Sequence, residues 1–163
     1  MEKTPKSLRL QIGIFGRTNV GKSSFLNMVA GQDVSITSPL PGTTTDVVEK
    51  VMELLPVGPV VFLDTGGMDD ASMLGAKRVE RTRKVFDRAD VIILILEPDR
   101  WTDYEEEVCA EAAKRNTPII LVVNKSDLRV SGPGFLSRLE QRTRRILICT
   151  STDRLNRDAA VNL

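Results

Sequence analysis

Short apolar runs alternate with longer amphipathic stretches along this chain. The runs at 8–15, 91–96, 119–123 and 145–149 are rich in branched apolar residues, as expected of parallel strands buried on both faces. The run at 47–55 alternates less cleanly and carries Glu49, Lys50 and Glu53, which predicts an edge strand with one wet face. Pro56-Val57-Gly58-Pro59 is turn chemistry, so 47–55 and the run at 59–63 are expected to pair antiparallel. Between the runs, 22–30, 73–88, 103–115 and 134–142 repeat apolar residues at helical spacing. Phe25, Leu26, Val29 and Ala30 share a face of the first helix, and Val79, Thr82, Phe86 and Ala89 a face of the second. Tyr104, Val108, Cys109, Ala112 and Ala113 share a face of the third, with Glu105, Glu106 and Lys114 elsewhere. The pattern predicts a three-layer α/β domain. Its six-stranded sheet is mostly parallel with one antiparallel edge strand, and a ligand belongs at the carboxyl ends of the strands.

Composition narrows the chemistry. The 163 residues suit one domain, and a net charge of +1 gives no whole-molecule attraction to nucleic acid or an anionic membrane, so neither is an expected partner. No apolar run approaches the ~18 residues of a membrane span. The first six residues lack the apolar core of a secretory signal, and a cytoplasmic location is expected. The chain has no histidine, which removes histidine acid–base catalysis, Ser-His triads and histidine metal sites. Cys109 and Cys149 form no C-x-x-C unit and read as buried small hydrophobes. Lys77, Arg78, Arg81, Arg83, Lys84 and Arg88 on the second helix read as a solvated face, with a partner surface as the alternative. The same holds for Arg138, Arg142, Arg144 and Arg145.

The junction of the first strand and first helix carries the candidate chemistry. Residues 16–23 read G-x-x-x-x-G-K-S, the phosphate-binding loop of nucleoside triphosphatases, in the strand–loop–helix setting it requires. Gly16 and Gly21 let the backbone of Asn19, Val20, Gly21, Lys22, Ser23 and Ser24 close on a phosphate chain, at the positive end of the helix. Lys22 is placed to reach β- and γ-phosphates as a point charge. Ser23 offers Mg²⁺ the oxygen ligand that a hard cation prefers. Asp64-Thr65-Gly66-Gly67 fits D-x-x-G after a strand: Asp64 can hold Mg²⁺ through a water, and the Gly67 N–H can meet a γ-phosphate. The long loop 31–46 has the position and composition of a switch segment. Within it Thr44 is the choice for a hydroxyl that closes over Mg²⁺, and Thr43 is the alternative. Asn124-Lys125-Ser126-Asp127 fits N-K-x-D. Asp127 can accept two hydrogen bonds from guanine N1–H and N2–H₂, a donor pair that adenine lacks. Lys125 is expected to lay its stem on the base while Asn124 braces the loop.

Together, G-R-x-N-x-G-K-S at 16–23, P-G-T-T-x-D at 41–46 and N-K-x-D at 124–127 resemble the translation-factor-class small GTPases, in the branch of MnmE, Era and Der. A closer resemblance is to the GTPase domain of HydF, the [FeFe]-hydrogenase maturation factor. It is carried by Gly58-Pro59-Val60-Val61 running into Asp64-Thr65, then Asp69-Asp70, Leu74-Gly75, Arg78-Val79-Glu80 and Val85-Phe86-Asp87-Arg88-Ala89-Asp90, over roughly residues 8–130.

The resemblance implies a Ras-like P-loop NTPase fold, with 1–163 as one GTP-binding domain of a longer protein. It also implies GTP/GDP and Mg²⁺ as ligands and a K⁺ ligated by Asn19, which joins Lys22 and Thr44 as the catalytic set. Met68 stands where Ras-like enzymes carry a water-orienting glutamine, which implies slow intrinsic hydrolysis. The fifth nucleotide motif departs from the family's Ser-Ala pair, and Thr150 or Ser151 is expected to set a backbone amide near guanine O6. The partners implied are the parent protein's other domains, maturation partners or hydrogenase, and a second GTPase domain in a dimer. Two cysteines cannot supply the iron–sulfur cluster of the family's last domain, so none is expected in this chain. The same motifs also fit a ribosome- or tRNA-associated GTPase domain of the Era/Der/MnmE type, and a GTP-binding switch that acts only through partners.

Overall fold

The computed structural model describes residues 9–30, 47–54, 56–64 and 75–150. The candidates Thr43, Thr44, Gly67 and Ser151, together with Met68, lie outside the described residues. In chain order the elements are β1 Leu10–Gly16, α1 Lys22–Ala30, β2 Val48–Leu54, β3 Gly58–Asp64, α2 Gly75–Arg88, β4 Val91–Leu96, α3 Asp103–Lys114, β5 Ile119–Val123, α4 Pro133–Glu140 and β6 Ile146–Ile148. The strands form one six-stranded sheet in the order β2-β3-β1-β4-β5-β6. β2 and β3 pair antiparallel through the 56–57 turn, and the remaining pairs are parallel. This is the mostly parallel sheet with one antiparallel edge strand that the apolar pattern predicts.

Strand alternation divides the apolar residues between two cores. Ile12, Ile14, Val60, Phe62, Ile93 and Ile95 meet Phe25, Leu26, Met28 and Val29 of α1 on one side. Phe15, Val61, Leu63, Leu94 and Leu96 meet Val85, Phe86, Val108, Ala112, Phe135 and Leu139 on the other. Phe15 stacks on Phe86 with ring centroids 4.9 Å apart, which fixes α2 against the central strand. Cys109 and Cys149 are both buried, and burial pushes the Cys109 thiol up to about 11, the state of a hydrophobe rather than a nucleophile.

The structure corrects the sequence pattern in three places. Val79 is 67% exposed although it shares a face of α2 with buried Phe86, so burial on that face does not extend back to Val79. On α3, Ala113 is exposed and Glu105 is fully buried, because Glu105 has partners inside that the helical period does not reveal. Lys50, assigned to the wet face of the edge strand, is only 6% exposed. Its parity puts it with Met52 and Leu54 on the α1 side, where it finds a carboxylate.

Gly13 shows how closely α2 approaches the sheet. A Cβ there would lie 2.7 Å from Ile92 Cδ1, 2.8 Å from Val85 Cγ1 and 3.3 Å from the Ala89 Cβ. Gly13→Val is therefore expected to destabilise the domain by about 1–3 kcal/mol through overpacking, measured by urea denaturation. A stability equal to the parent would contradict this packing.

Candidate functional site

The chain order reverses at β1, which lies between β3 and β4, so the loop after β1 occupies the switch point where open α/β sheets take their ligands. That loop is the G-x-x-x-x-G-K-S segment. Gly21 has φ +96°, and a Cβ there would sit 2.4 Å from Asn124 Nδ2, so both conformation and space require glycine. Asn19 also takes a left-handed conformation, φ 65°. The Phe25 N–H donates to the Gly21 carbonyl at 2.9 Å and opens α1 directly beneath the loop. The Lys22 ammonium lies across its own loop, donating to the Gly16 carbonyl and, at 3.4 Å, to that of Arg17. Glycines held at the crowding limit, a lysine over the loop and a helix starting under it form a cradle that fits a phosphate chain.

The loop after β5 is tied to this cradle. Asn124 is 2% exposed. Its Nδ2 donates to the Val20 carbonyl at 2.9 Å, and its Oδ1 faces the Cys149 thiol at 3.9 Å. Its own N–H donates to Leu96 O at 2.8 Å, anchoring the loop to β4. The Lys125 ammonium donates to the Asn19 carbonyl and pairs with Glu97 at 3.3 Å. Thr150 Oγ1 lies 3.0 Å from Ser126 Oγ and donates to Asp127 Oδ1 at 3.3 Å. The Asp127 carboxylate remains exposed, open to a ligand. Ser23 and Ser24 are exposed at the start of α1. Asp64 ends β3 beside Ile14 of β1, with its carboxylate 2.9 Å from the Lys50 ammonium. A carboxylate and a serine hydroxyl at the phosphate end are the donor set that suits Mg²⁺.

Helix α3 braces the cradle from behind. Tyr104 Oη accepts the Gly16 N–H at 3.1 Å. Arg17 Nε donates to Glu105 Oε1 at 2.5 Å. The other oxygen of that carboxylate accepts the Thr102 N–H and hydroxyl at 2.7 and 2.5 Å. Glu105 thus caps its own helix and grips the phosphate loop at once. The sequence contains part of this signal, because T-x-x-E marks a helix start. Nothing in the spacing joins it to Arg17. Tyr104, Glu105, Glu97, Lys50 and Cys149 are all site neighbours that motif reading misses.

Residues 11–125 match the family described as 50S ribosome-binding GTPase. The chain belongs to that family. It is a GTPase domain, and the family implies GTP/GDP and Mg²⁺ as its ligands. The GTPase domain is 43% identical over 124 residues to the tRNA modification GTPase MnmE of Synechococcus sp. (strain JA-3-3Ab), covering 73% of this chain and 26% of that protein. It is 37% identical over 125 residues to GTPase Der of Kosmotoga olearia, covering 73% of this chain and 28% of that protein. The chain therefore spans about a quarter of the length of these relatives. Among solved structures, a single-residue variant of Aquifex aeolicus Era bound to GDP·AlF4⁻ superposes with a TM-score of 0.70 and 29% identity, over 93% of this chain and 54% of that one. The G domain of the T. maritima FeoB iron transporter superposes at 0.64 with 17% identity, covering 94% and 96%. That second likeness concerns the fold alone. No helix among the described residues is long and apolar enough to cross a membrane.

Proposed function

We propose that this GTPase domain is the guanine-nucleotide switch of a protein of the MnmE, Der or Era type. Its cycle of GTP binding and slow hydrolysis would govern an activity on tRNA or the ribosome. The observation that carries the nucleotide part is the Asn124 bridge to Val20, which joins the phosphate cradle to the N-K-x-D loop. The identity to MnmE and Der supports the parent type. So does the likeness to a structure of Era with MgGDPNP and a 16S ribosomal RNA segment, at 28% identity and a TM-score of 0.69. A second reading, a switch in [FeFe]-hydrogenase maturation, is supported by the residues at 58–61, 69–70 and 85–90 that resemble HydF. Co-sedimentation of the parent protein with ribosomal subunits, set against activation of hydrogenase, separates the two.

In either setting the assignments are the same. The amides of Asn19, Val20, Gly21, Lys22, Ser23 and Ser24 receive the phosphates. Lys22 exchanges its carbonyl contacts for phosphate oxygens, which become its stronger, charged acceptors. Ser23, Asp64 and Thr44 hold Mg²⁺, with Thr43 the alternative, and the cation supplies charge neutralisation at the phosphates. The Gly67 amide meets the γ-phosphate. Asp127 reads the guanine edge, Lys125 lies along the base, and Thr150 or Ser151 places an amide near O6. The Thr150 hydroxyl already holds Asp127 in position. Asn19 is proposed as a K⁺ ligand. The partners proposed are the parent's other domains and a second GTPase domain, in the cytoplasm.

Asp127→Asn should move the nucleotide preference from GTP towards xanthosine triphosphate, by about 100-fold or more in relative affinity; competition titrations read it, and an unchanged GTP preference would refute the guanine-recognition role. GTP turnover in KCl against NaCl, for the parent and Asn19→Ala, tests the cation. A potassium advantage lost in the variant is expected, and equal rates in all four reactions would remove K⁺ from the account.

A further inference from the structure

Lys50 is a cation on an apolar sheet face. Met52 and Leu54, its neighbours of the same parity on β2, pack with Phe25, Leu26, Val60 and Phe62. An ammonium is not held among such groups without a partner. Its partner is Asp64 Oδ2 at 2.9 Å, with both side chains largely withdrawn from water, 7% and 11% exposed. Register explains the meeting. Lys50 pairs with Phe62 and Val48 with Asp64, so residues 50 and 64 are diagonal neighbours on one face. The lysine reaches along the strand to the carboxyl edge of the sheet, where the phosphate cradle lies. The carboxylate it meets there is the one assigned to Mg²⁺ above.

We propose that Lys50 is a built-in counter-ion that takes the place of the metal at Asp64 and sets how much Mg²⁺ the nucleotide site requires. The proposal rests on the assignment of Asp64 to Mg²⁺. A buried carboxylate is stabilised by a positive charge close by, and Lys50 supplies one at 2.9 Å. When the cation binds, it must share Asp64 with a positive charge already in place, in surroundings that screen poorly. Both effects act in one direction: they stabilise the metal-free domain and raise the Mg²⁺ concentration needed to load it. Lys50 is therefore a positioning and affinity-setting residue. It sits on the strand that immediately follows the 31–46 segment in sequence, so its two partners, carboxylate alone or carboxylate with metal, would be felt at the start of β2.

The test is GDP binding by calorimetry across a Mg²⁺ series starting from EDTA, for the parent, Lys50→Met, Lys50→Gln, Lys50→Arg and Asp64→Asn. Lys50→Met should lower the half-saturating Mg²⁺ concentration about tenfold, Lys50→Gln should lower it less, and Lys50→Arg should stay near the parent. The metal-free melting temperature of Lys50→Met should fall, and its rise on adding Mg²⁺ should exceed that of the parent. A variant that only loosened the fold would weaken GDP binding at every Mg²⁺ concentration, which is the opposite sign. Asp64→Asn should raise the Mg²⁺ midpoint. If it does, but Lys50→Met and Lys50→Gln both keep the parental midpoint, the counter-ion role is overturned alone. If Asp64→Asn leaves the midpoint unchanged, the assignment of Asp64 fails and the role of Lys50 fails with it.

Discussion

A buried side-chain amide is the core of the contact between the two loops of the site, with the Lys125 ammonium on the Asn19 carbonyl at its edge. Asn124 Nδ2 donates to the Val20 carbonyl across 104 residues of chain and joins the phosphate cradle to the N-K-x-D loop. The bond needs a close approach that only a glycine at position 21 permits. It also needs Asn124 held in place, which its N–H to Leu96 and the facing Cys149 thiol provide. The parallel strands place both loops at one edge of the sheet, and the amide then fixes their separation. Bonds that fix the two loops relative to each other reduce the ordering that a ligand spanning both must impose.

The same region concentrates charges that would be unfavourable elsewhere in the core. Glu105 is fully withdrawn from water and accepts three hydrogen bonds, one from Arg17 of the cradle and two from its own helix cap. Lys50 and Asp64 form a second shielded pair. Each pair has one member at the nucleotide edge and one on an element that makes no motif. The motif residues of this edge are thus held by side chains outside the motifs, on α3 and on β2.

Much of this was legible in the sequence. The apolar runs predict the strands because parallel strands buried on both faces must be apolar throughout, and the edge strand reveals itself by its charges. The phosphate and N-K-x-D loops are legible because their chemistry demands fixed residue types at fixed spacing. Legibility fails where charge argues for exposure but a distant partner allows burial. Glu105 reads as solvated from its charge, although it shares a helix face with Val108, Cys109 and Ala112, and Arg17, 88 residues away, is the partner that lets it stay inside. Lys50 reads as a wet-face residue because charge argues exposure, yet strand parity and Asp64 bury it. Val79 falls on the apolar period with Phe86 but is 67% exposed, because a shared helix face is buried only where it lies against the sheet. Parity and helical period place Lys50 and Glu105 on a buried face, but the partners that permit it lie far along the chain.

The central claim is that the two nucleotide loops work as one preassembled frame through Asn124. The most direct measurement is the GDP affinity of Asn124→Ala in saturating Mg²⁺. The account predicts a loss of about tenfold or more, the effect of leaving a buried carbonyl unpaired and cutting the buried one of the two ties between the loops, with faster GDP release. An affinity and release rate equal to the parent would contradict it.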